Sequence, residues 1–306
     1  MSTQEHEAPS QKDPVMIVSD STCSLSPELA RHYGVQLVPT YITFGGRTYR
    51  DGVDLDATQF YALLRSSAQL PTTAQPTVAD FTKVYTELWE QVRTLPGAAI
   101  VSVHPSSKMT KTVDAAQAAS RELPEIPVHV IDTGTISMGL GMVAIAAARA
   151  AAAGQDAATV VRLTEDVARR VRVVFTVETM EYLRKGGRIG AATALLGMLL
   201  NIKPVLYLGD GQVQPLEKPR TRKKAIAVML DWVAAQVASS QALHAAVLHC
   251  DAADDAQALT QEIVTRFLGV DLVMTAEAGP TIGTHGGPGT IGVVFYTEES
   301  GKPGNA

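Results

Sequence analysis

Short apolar runs alternate with amphipathic helical repeats along the first half of the chain, and this alternation most restricts its fold. Residues 15–18 are typical of a buried strand, and Ser26 followed by Pro27 marks the start of a helix. The same order of strand and helix recurs as far as Gly154. Strands joined through helices pair in parallel with the helices on the sheet faces, so an α/β fold with a largely parallel sheet is predicted.

The individual elements of this half are predicted from apolar spacing and helix caps. Strands are expected at residues 15–18, 35–44, 98–103 and 128–131. Helices are expected between Ser26 and Gly34, from Asp56 to Leu64, from Thr77 to Val92, from the end of the 106–112 loop to about Leu123, and over residues 136–153.

After Gly154 the pattern changes, and the second half mixes helices with antiparallel strands. Helices are predicted at residues 157–170, 221–237 and 252–268, and strands at 171–177, 245–249, 272–275 and after Gly289. Gly209, Asp210 and Gly211 separate two short apolar runs, which is typical of a β-hairpin. We therefore predict a flexible tail (1–14), an N-terminal α/β domain (15–155), a C-terminal mixed α/β domain (156–298) and a second tail (299–306).

Composition excludes several classes of protein. The net charge of -5 disfavours nucleic-acid binding, which usually needs a basic face. Two distant cysteines indicate neither a disulfide framework nor a metal site, and they fit a reducing cytoplasm. The first thirteen residues contain no apolar signal segment, and the longest apolar stretch, 191–200, is about half a membrane span. A cytoplasmic protein without integral membrane association is expected.

Residues 175–204 combine a basic turn with an apolar segment. Lys185, Gly186, Gly187 and Arg188 form the turn, and residues 191–200 follow it directly. A glycine-containing basic loop lets backbone amides and a guanidinium approach an anion, while the apolar segment offers a hydrophobic wall. The pair suits an amphiphile with an acidic head, although an ordinary loop before a core helix has the same pattern.

Hydroxyl side chains occupy positions where α/β sheets bind ligands. Thr73 precedes a predicted helix, and Ser106, Ser107 and Thr110 lie in the next strand-to-helix loop. Hydroxyls and free amides at helix starts can bind an anion, but the same residues also serve as plain helix caps. His285 is followed by Gly286 and Gly287, so backbone can approach a ligand there while the imidazole hydrogen-bonds a carboxylate.

Five short motifs, spread over residues 15–296, together resemble the DegV family. Besides the 175–204 segment they are the strings at 19–22, 73–77, 106–112 and 285–289. The resemblance implies a two-domain fatty-acid-binding protein that presents its ligand to a separate fatty acid kinase, which makes acyl phosphate. Two departures from the family pattern are Ala74 in place of a usual serine and Met109-Thr110-Lys111-Thr112 in place of Leu-Ser-Gly-Thr.

The resemblance also implies roles for individual residues. Thr73 and Thr110 match carboxylate-binding positions, and His285 matches a third site residue. Ser107 and Gly286 are also predicted to be ligand-binding residues, as are Asp20 and Ser21, which form a strand-end turn bordering the site. Arg188 and Arg220 match arginines that meet the kinase or its phosphate.

The expected function is therefore a carrier of a long-chain fatty acid such as palmitate, without a catalytic residue, metal or cofactor of its own. The chain has neither a phosphate-binding loop nor a Gly-x-Ser-x-Gly string, which disfavours a kinase or a hydrolase. Two alternatives stay open at this point. One is a small-molecule phosphotransfer enzyme that uses His285, and the other is a regulatory binding module without a lipid.

Overall fold

The computed structural model describes residues 14–67, 69–195, 202–237, 242–267 and 269–298. Its strands are β1 Val15–Asp20, β2 Val35–Val38, β3 Tyr41–Phe44, β4 Arg47–Arg50, β5 Thr72–Ala74, β6 Ala99–His104, β7 Val128–Asp132, β8 Arg172–Thr176, β9 Val205–Gly209, β10 Gln212–Glu217, β11 Leu243–His249, β12 Asp271–Glu277 and β13 Ile291–Thr297. Its α-helices are α1 Pro27–Tyr33, α2 Ala57–Ser66, α3 Val78–Val92, α4 Thr112–Glu122, α5 Met138–Ala152, α6 Ala157–Arg170, α7 Glu181–Lys185, α8 Arg222–Gln236, α9 Ala253–Arg266 and α10 Pro280–Gly286.

The first half contains the predicted parallel sheet. Its strand order is β2-β1-β6-β7, and all three pairings are parallel. Successive side chains of a strand point to opposite faces, and β1 shows this. Ile17 packs in the core cluster that contains α5, while Val18 packs in the cluster that contains α3 and α4. Helices therefore cover both faces, as predicted.

The single strand predicted at residues 35–44 is wrong. Residues Val35–Val38 belong to the parallel sheet, whereas Tyr41–Phe44 belong to a three-stranded antiparallel sheet of order β4-β3-β5. Pro39 lies between the two strands and has no N–H to continue a ladder. Thr73 consequently lies within β5, opposite Ile42 of β3, rather than in a loop just ahead of a helix.

The second half is built around a mixed six-stranded sheet of order β10-β9-β8-β13-β11-β12. The predicted hairpin is β9-β10, and its turn residues Asp210 and Gly211 both have positive φ, 51° and 71°. The seven-residue helix α10, which carries His285, was not predicted from the sequence. Gly279 at its N-cap and Pro280 at its first position were the available local markers.

The largest hydrophobic core contains side chains from both halves. Ile17 of β1, Val160 of α6 and Val294 of β13 belong to the same cluster of buried residues. Close packing explains one of the two glycines of α5, because a Cβ on Gly141 would lie 2.5 Å from the Cys23 carbonyl oxygen. Strands of the four- and three-stranded sheets precede Gly154 and strands of the six-stranded sheet follow it. The boundary at residue 155 stays a prediction.

Some predicted segments fall outside the described residues. The tails at 1–14 and 299–306 do so, except for Pro14, and so does the latter part of the apolar segment 191–200. Its earlier part lies in the 3-10 helix Gly190–Leu195. Within the described ranges, no helix is long and apolar enough to span a bilayer. The same ranges contain no group of three or more metal-ligating side chains.

Candidate ligand-binding cavity

A cavity lies between the two halves of the chain. The part of the cavity that the centre of a water molecule can occupy has a volume of about 130 Å³. Much of its wall is apolar, contributed by Ala74, Met109, Ile136, Val173, Phe175, Leu183, Leu208, Val213, Leu248, Ile282 and Val294. The polar wall consists of Thr22, Thr40, Thr73, Gln75, Thr110, Ser137, Arg188, Thr281, His285 and Thr290.

The six-stranded sheet supplies an apolar face because alternate residues of its strands point the same way. Val173 and Phe175 are two residues apart on β8, and Gly292 and Val294 are two apart on β13. Gly292 lies directly beside Phe175, since a Cβ on it would come within 2.9 Å of the Phe175 Cβ. The missing side chain at position 292 therefore leaves room for the aromatic residue.

The side chains of His285 and Thr73, two of the predicted site residues, meet in the cavity wall. The Thr73 Oγ1 and His285 Nε2 atoms are 2.9 Å apart. The other ring nitrogen, Nδ1, is buried without a hydrogen-bond partner, and a Cβ on Gly186 would lie 2.2 Å from it. Burial, followed by the nearby Arg188 charge, lowers the pKa of His285 to about 4. The imidazole is therefore neutral at pH 7.

The tautomer of His285 follows from the cost of burying an unpaired donor. An N–H without an acceptor is rarely left in a protein interior, so the proton belongs on Nε2. The Nε2–H group then donates to Thr73 Oγ1. Thr73 keeps its own hydroxyl proton, which can be donated to a ligand in the cavity.

Arg188 joins the basic turn to the loop that carries Thr110. Its Nε donates to the Met109 carbonyl oxygen at 3.2 Å, and its Nη1 donates to the Gly186 carbonyl oxygen at 2.7 Å. Within the described part of the chain, no acceptor is assigned to Nη2. The family resemblance gives Arg188 a partner-facing role, which stays a prediction, and the residue also lines the cavity.

Thr110 also lines the cavity, and Lys111 does not. The Thr110 hydroxyl lies 2.9 Å from the Thr112 hydroxyl and accepts from the Thr112 backbone N–H. Lys111, which stands where the DegV family usually has glycine, is 72% exposed and pairs with Asp114 at 3.2 Å. Its charge therefore faces solvent rather than the head group of a ligand.

Four predicted site residues lie outside the cavity lining. Ser107 contributes to a separate polar cleft, where its backbone N–H lies 3.3 Å from each carboxylate oxygen of Asp132. Asp20 and Ser21 stand behind the wall, bonded to the lining residues Thr22 and Thr40, and Arg220 is exposed. Gly286 does line the cavity. Ligand or partner roles for the four outlying residues stay predictions.

Thr40, Thr281 and Ser137 are lining residues that the sequence analysis missed. Thr281 precedes His285 by four residues, the spacing of neighbours on one helix face, so recognising α10 would have identified it. Thr40 and Ser137 carry no such local marker, because only the folded chain brings them to the cavity.

A buried hydrogen-bond network stands behind Thr22. His104 Nδ1 lies 2.9 Å from Asp20 Oδ2, His104 Nε2 lies 2.7 Å from Ser102 Oγ, and the Tyr85 hydroxyl donates to Ser102 Oγ at 2.8 Å. The order Ser-His-Asp resembles a hydrolase triad. All four side chains are 0% exposed, however, and Tyr85 covers the serine, so a substrate cannot reach it. The network instead positions Thr22, whose hydroxyl and N–H both donate to Asp20.

A second buried carboxylate, Asp51, holds the start of α10. Its Oδ2 accepts from the Thr281 backbone N–H at 3.1 Å and from the Thr40 hydroxyl at 3.3 Å. Burial raises the pKa of Asp51 to about 6. The carboxylate thus ties α10, and with it His285, to the first half of the chain.

The Asp51 pKa predicts a specific pH dependence of stability. Because the folded-state pKa exceeds the unfolded value, Asp51 stabilises the fold below about pH 4 and loses that contribution as pH rises through 6. Replacing Asp51 with asparagine removes this titration. We expect urea denaturation to show the variant gaining stability relative to the parent between pH 4 and 7. A stability difference that is constant across this range would contradict the assignment.

Sequence comparison adds an independent line of evidence. The profile of the DegV family, described as uncharacterised, matches residues 14–298. A DegV domain-containing protein of Streptomyces coelicolor is 40% identical over 281 residues, covering 92% of this chain and 97% of the relative. The chain belongs to the DegV family.

Solved DegV structures share this fold. One is a DegV family protein from Thermus thermophilus described in terms of fatty acid binding, with 36% identity, a TM-score of 0.87, and coverage of 93% of this chain and 99% of that one. Another is DegV of Bacillus subtilis, described as a fatty acid binding protein, with 29% identity, a TM-score of 0.84 and the same coverage. The predicted two-domain DegV-like α/β fold is thereby confirmed.

Proposed function

We propose that this DegV family member is a carrier that encloses a long-chain fatty acid. The observation that carries the proposal is a single cavity whose sheet face is apolar and whose wall also brings together Thr73, Thr110, Arg188 and His285. Fatty acid binding by the Thermus thermophilus and Bacillus subtilis proteins supports it. The Arg188 guanidinium and the two threonine hydroxyls supply donors for the carboxylate, and the apolar wall receives the chain.

The energetics favour such a ligand. Burying a methylene group contributes about 0.8 kcal/mol, so a palmitoyl chain contributes around 10 kcal/mol before entropy losses. A buried carboxylate without partners would cancel much of this gain. Hydrogen-bond donors in one region of a largely apolar cavity therefore favour the binding of a fatty acid over that of a plain hydrocarbon.

We further propose that the carrier presents its fatty acid to a separate kinase in the cytoplasm. Making an acyl phosphate requires ATP, and the sequence lacks a phosphate-binding loop. The kinase must then be another protein, which the exposed Arg220 is suited to meet through its charge. The Nε2 atom of His285 is bonded to Thr73 and its Nδ1 atom is buried, which disfavours its use as the phosphoryl acceptor of a phosphotransfer enzyme.

Replacing Thr110 or His285 with alanine is expected to weaken palmitate binding about 2- to 12-fold, the effect of one hydrogen bond. Ser106→Ala serves as the matched control, because the Ser106 hydroxyl donates to the Gly211 carbonyl oxygen outside the cavity. Fluorescent fatty acid displacement on delipidated protein measures all three. Unchanged affinity in both Thr110→Ala and His285→Ala would show that the carboxylate binds elsewhere.

A further inference from the structure

The cavity contains a second group of hydroxyls besides those at Thr73 and Thr110. Thr22, Thr40 and Thr281 all line it, and each is at most 7% exposed. Thr40 Oγ1 lies 2.6 Å from Thr281 Oγ1 and 2.7 Å from Ser21 Oγ. A simple fatty acid has one polar end, so this second group is not accounted for by the carboxylate.

The hydrogen bonds of this group run toward two buried carboxylates. The Thr22 hydroxyl donates to Asp20, and the Thr40 hydroxyl donates to Asp51. With its own proton committed, Thr40 Oγ1 accepts from its neighbours, so the Thr281 hydroxyl donates to it. Thr22 and Thr281 have therefore used their protons inside the protein and can offer only lone pairs to the cavity.

The two polar groups of the wall thus have opposite character. Thr73 and Arg188 present donors, which suit a carboxylate. Thr22 and Thr281 present acceptors, which an ionised carboxylate cannot satisfy because it has no proton to donate. They are complementary to an O–H group on the ligand.

Helix geometry sets the distance between the two groups. Thr281 and His285 are four residues apart on α10, which corresponds to about 6 Å along the helix axis. A hydroxyl that reaches Thr281 while the carboxylate lies beside His285 and Thr73 must therefore be attached within the first few carbons of the acyl chain.

We propose that the cavity favours fatty acids that carry a hydroxyl group near the carboxylate, of which a 3-hydroxyacyl chain is the simplest. The inference rests on the proposed fatty acid binding and adds a ligand class to it. The ligand hydroxyl donates to Thr281, the acceptor four residues before His285 on α10.

The test compares palmitate with 3-hydroxypalmitate on the delipidated full-length protein by competitive displacement. We expect 3-hydroxypalmitate to bind about 3- to 10-fold more tightly, the effect of one added hydrogen bond. Thr281→Val should bring the affinity ratio close to 1, whereas Thr281→Ser, which keeps the hydroxyl, should retain it. His285→Ala should weaken both ligands and leave the ratio unchanged.

The outcomes separate this inference from the proposed function. Palmitate binding with a ratio near 1 in the unsubstituted protein would overturn the hydroxyl preference alone. Failure of both acids to bind would overturn the carrier function as well. Thr281→Ala provides a second test if Thr281→Val does not fold, and a full preference retained in that folded variant would contradict the role of Thr281.

Discussion

Replacing Arg188 with alanine is expected to lower fatty acid affinity by about 10- to 150-fold, because a hydrogen bond to a charged group is worth about 1.5–3 kcal/mol. The guanidinium is held by the Met109 and Gly186 carbonyl oxygens, and it lines the cavity beside His285. It is the only cationic side chain among the described lining residues at neutral pH, since burial and the Arg188 charge lower the pKa of His285 to about 4.

Arg184→Ala is the matched control for this prediction. Arg184 lies four residues earlier, in α7, and is exposed outside the lining. Arg188→Lys should retain part of the affinity, because lysine keeps the charge but loses the planar donor arrangement. Isothermal titration with palmitate measures all variants. Equal affinity of Arg188→Ala and the parent would remove Arg188 from the ligand site and return it to a role with the partner alone.

Replacing Asp20 with alanine is expected to destabilise the fold by about 3 kcal/mol or more. The substitution leaves His104 Nδ1, the Thr22 hydroxyl and the Thr22 N–H without their acceptor in a fully buried site. Each buried polar group left unpaired costs about 1–3 kcal/mol. For a chain of this size the melting temperature should fall by on the order of 10 °C.

Asp132→Ala is the control for Asp20→Ala. Asp132 also ends a strand of the parallel sheet, but its carboxylate is exposed and accepts from the Ser107 and Gly134 amides, which water can solvate instead. Thermal unfolding followed by circular dichroism compares the two. Similar small shifts for both variants would contradict the account of the buried network, and loss of ligand binding without loss of stability would assign Asp20 to the site itself.

The elements with strong local patterns could be predicted from the sequence. α6 was predicted at residues 157–170 and occupies Ala157–Arg170, because Asp156 caps it and its apolar residues recur at helical spacing. The β9-β10 hairpin was predicted from Gly209, Asp210 and Gly211. In these segments the local preference and the tertiary contacts agree.

The elements that were missed depend on contacts distant in sequence. α10 is short and glycine-containing, and the carboxylate that holds its start, Asp51, lies 230 residues away from Thr281. Residues 35–44 form one apolar run, yet its two parts pair with strands of different sheets. The spacing of apolar residues along the chain indicates neither the start of α10 nor the sheet with which each part of residues 35–44 pairs.

The candidate site divides in the same way. Thr73, Thr110 and His285 were predicted from residue type and from the family resemblance, and all three line the cavity. The contact between Thr73 and His285 spans 212 residues. Thr281 was missed because α10 was not recognised, and Thr40 because it has no distinctive sequence context. Only the fold shows that their hydroxyls meet.

Quantitative mass spectrometry of an organic extract of the purified protein tests the central claim most directly. We expect close to one long-chain fatty acid per protein chain, since much of the cavity wall is apolar and the wall provides donors for one carboxylate. The extract of Arg188→Ala, purified in parallel, should contain less. Protein that is free of fatty acid, and that takes up neither palmitate nor oleate when these are added, would contradict the account.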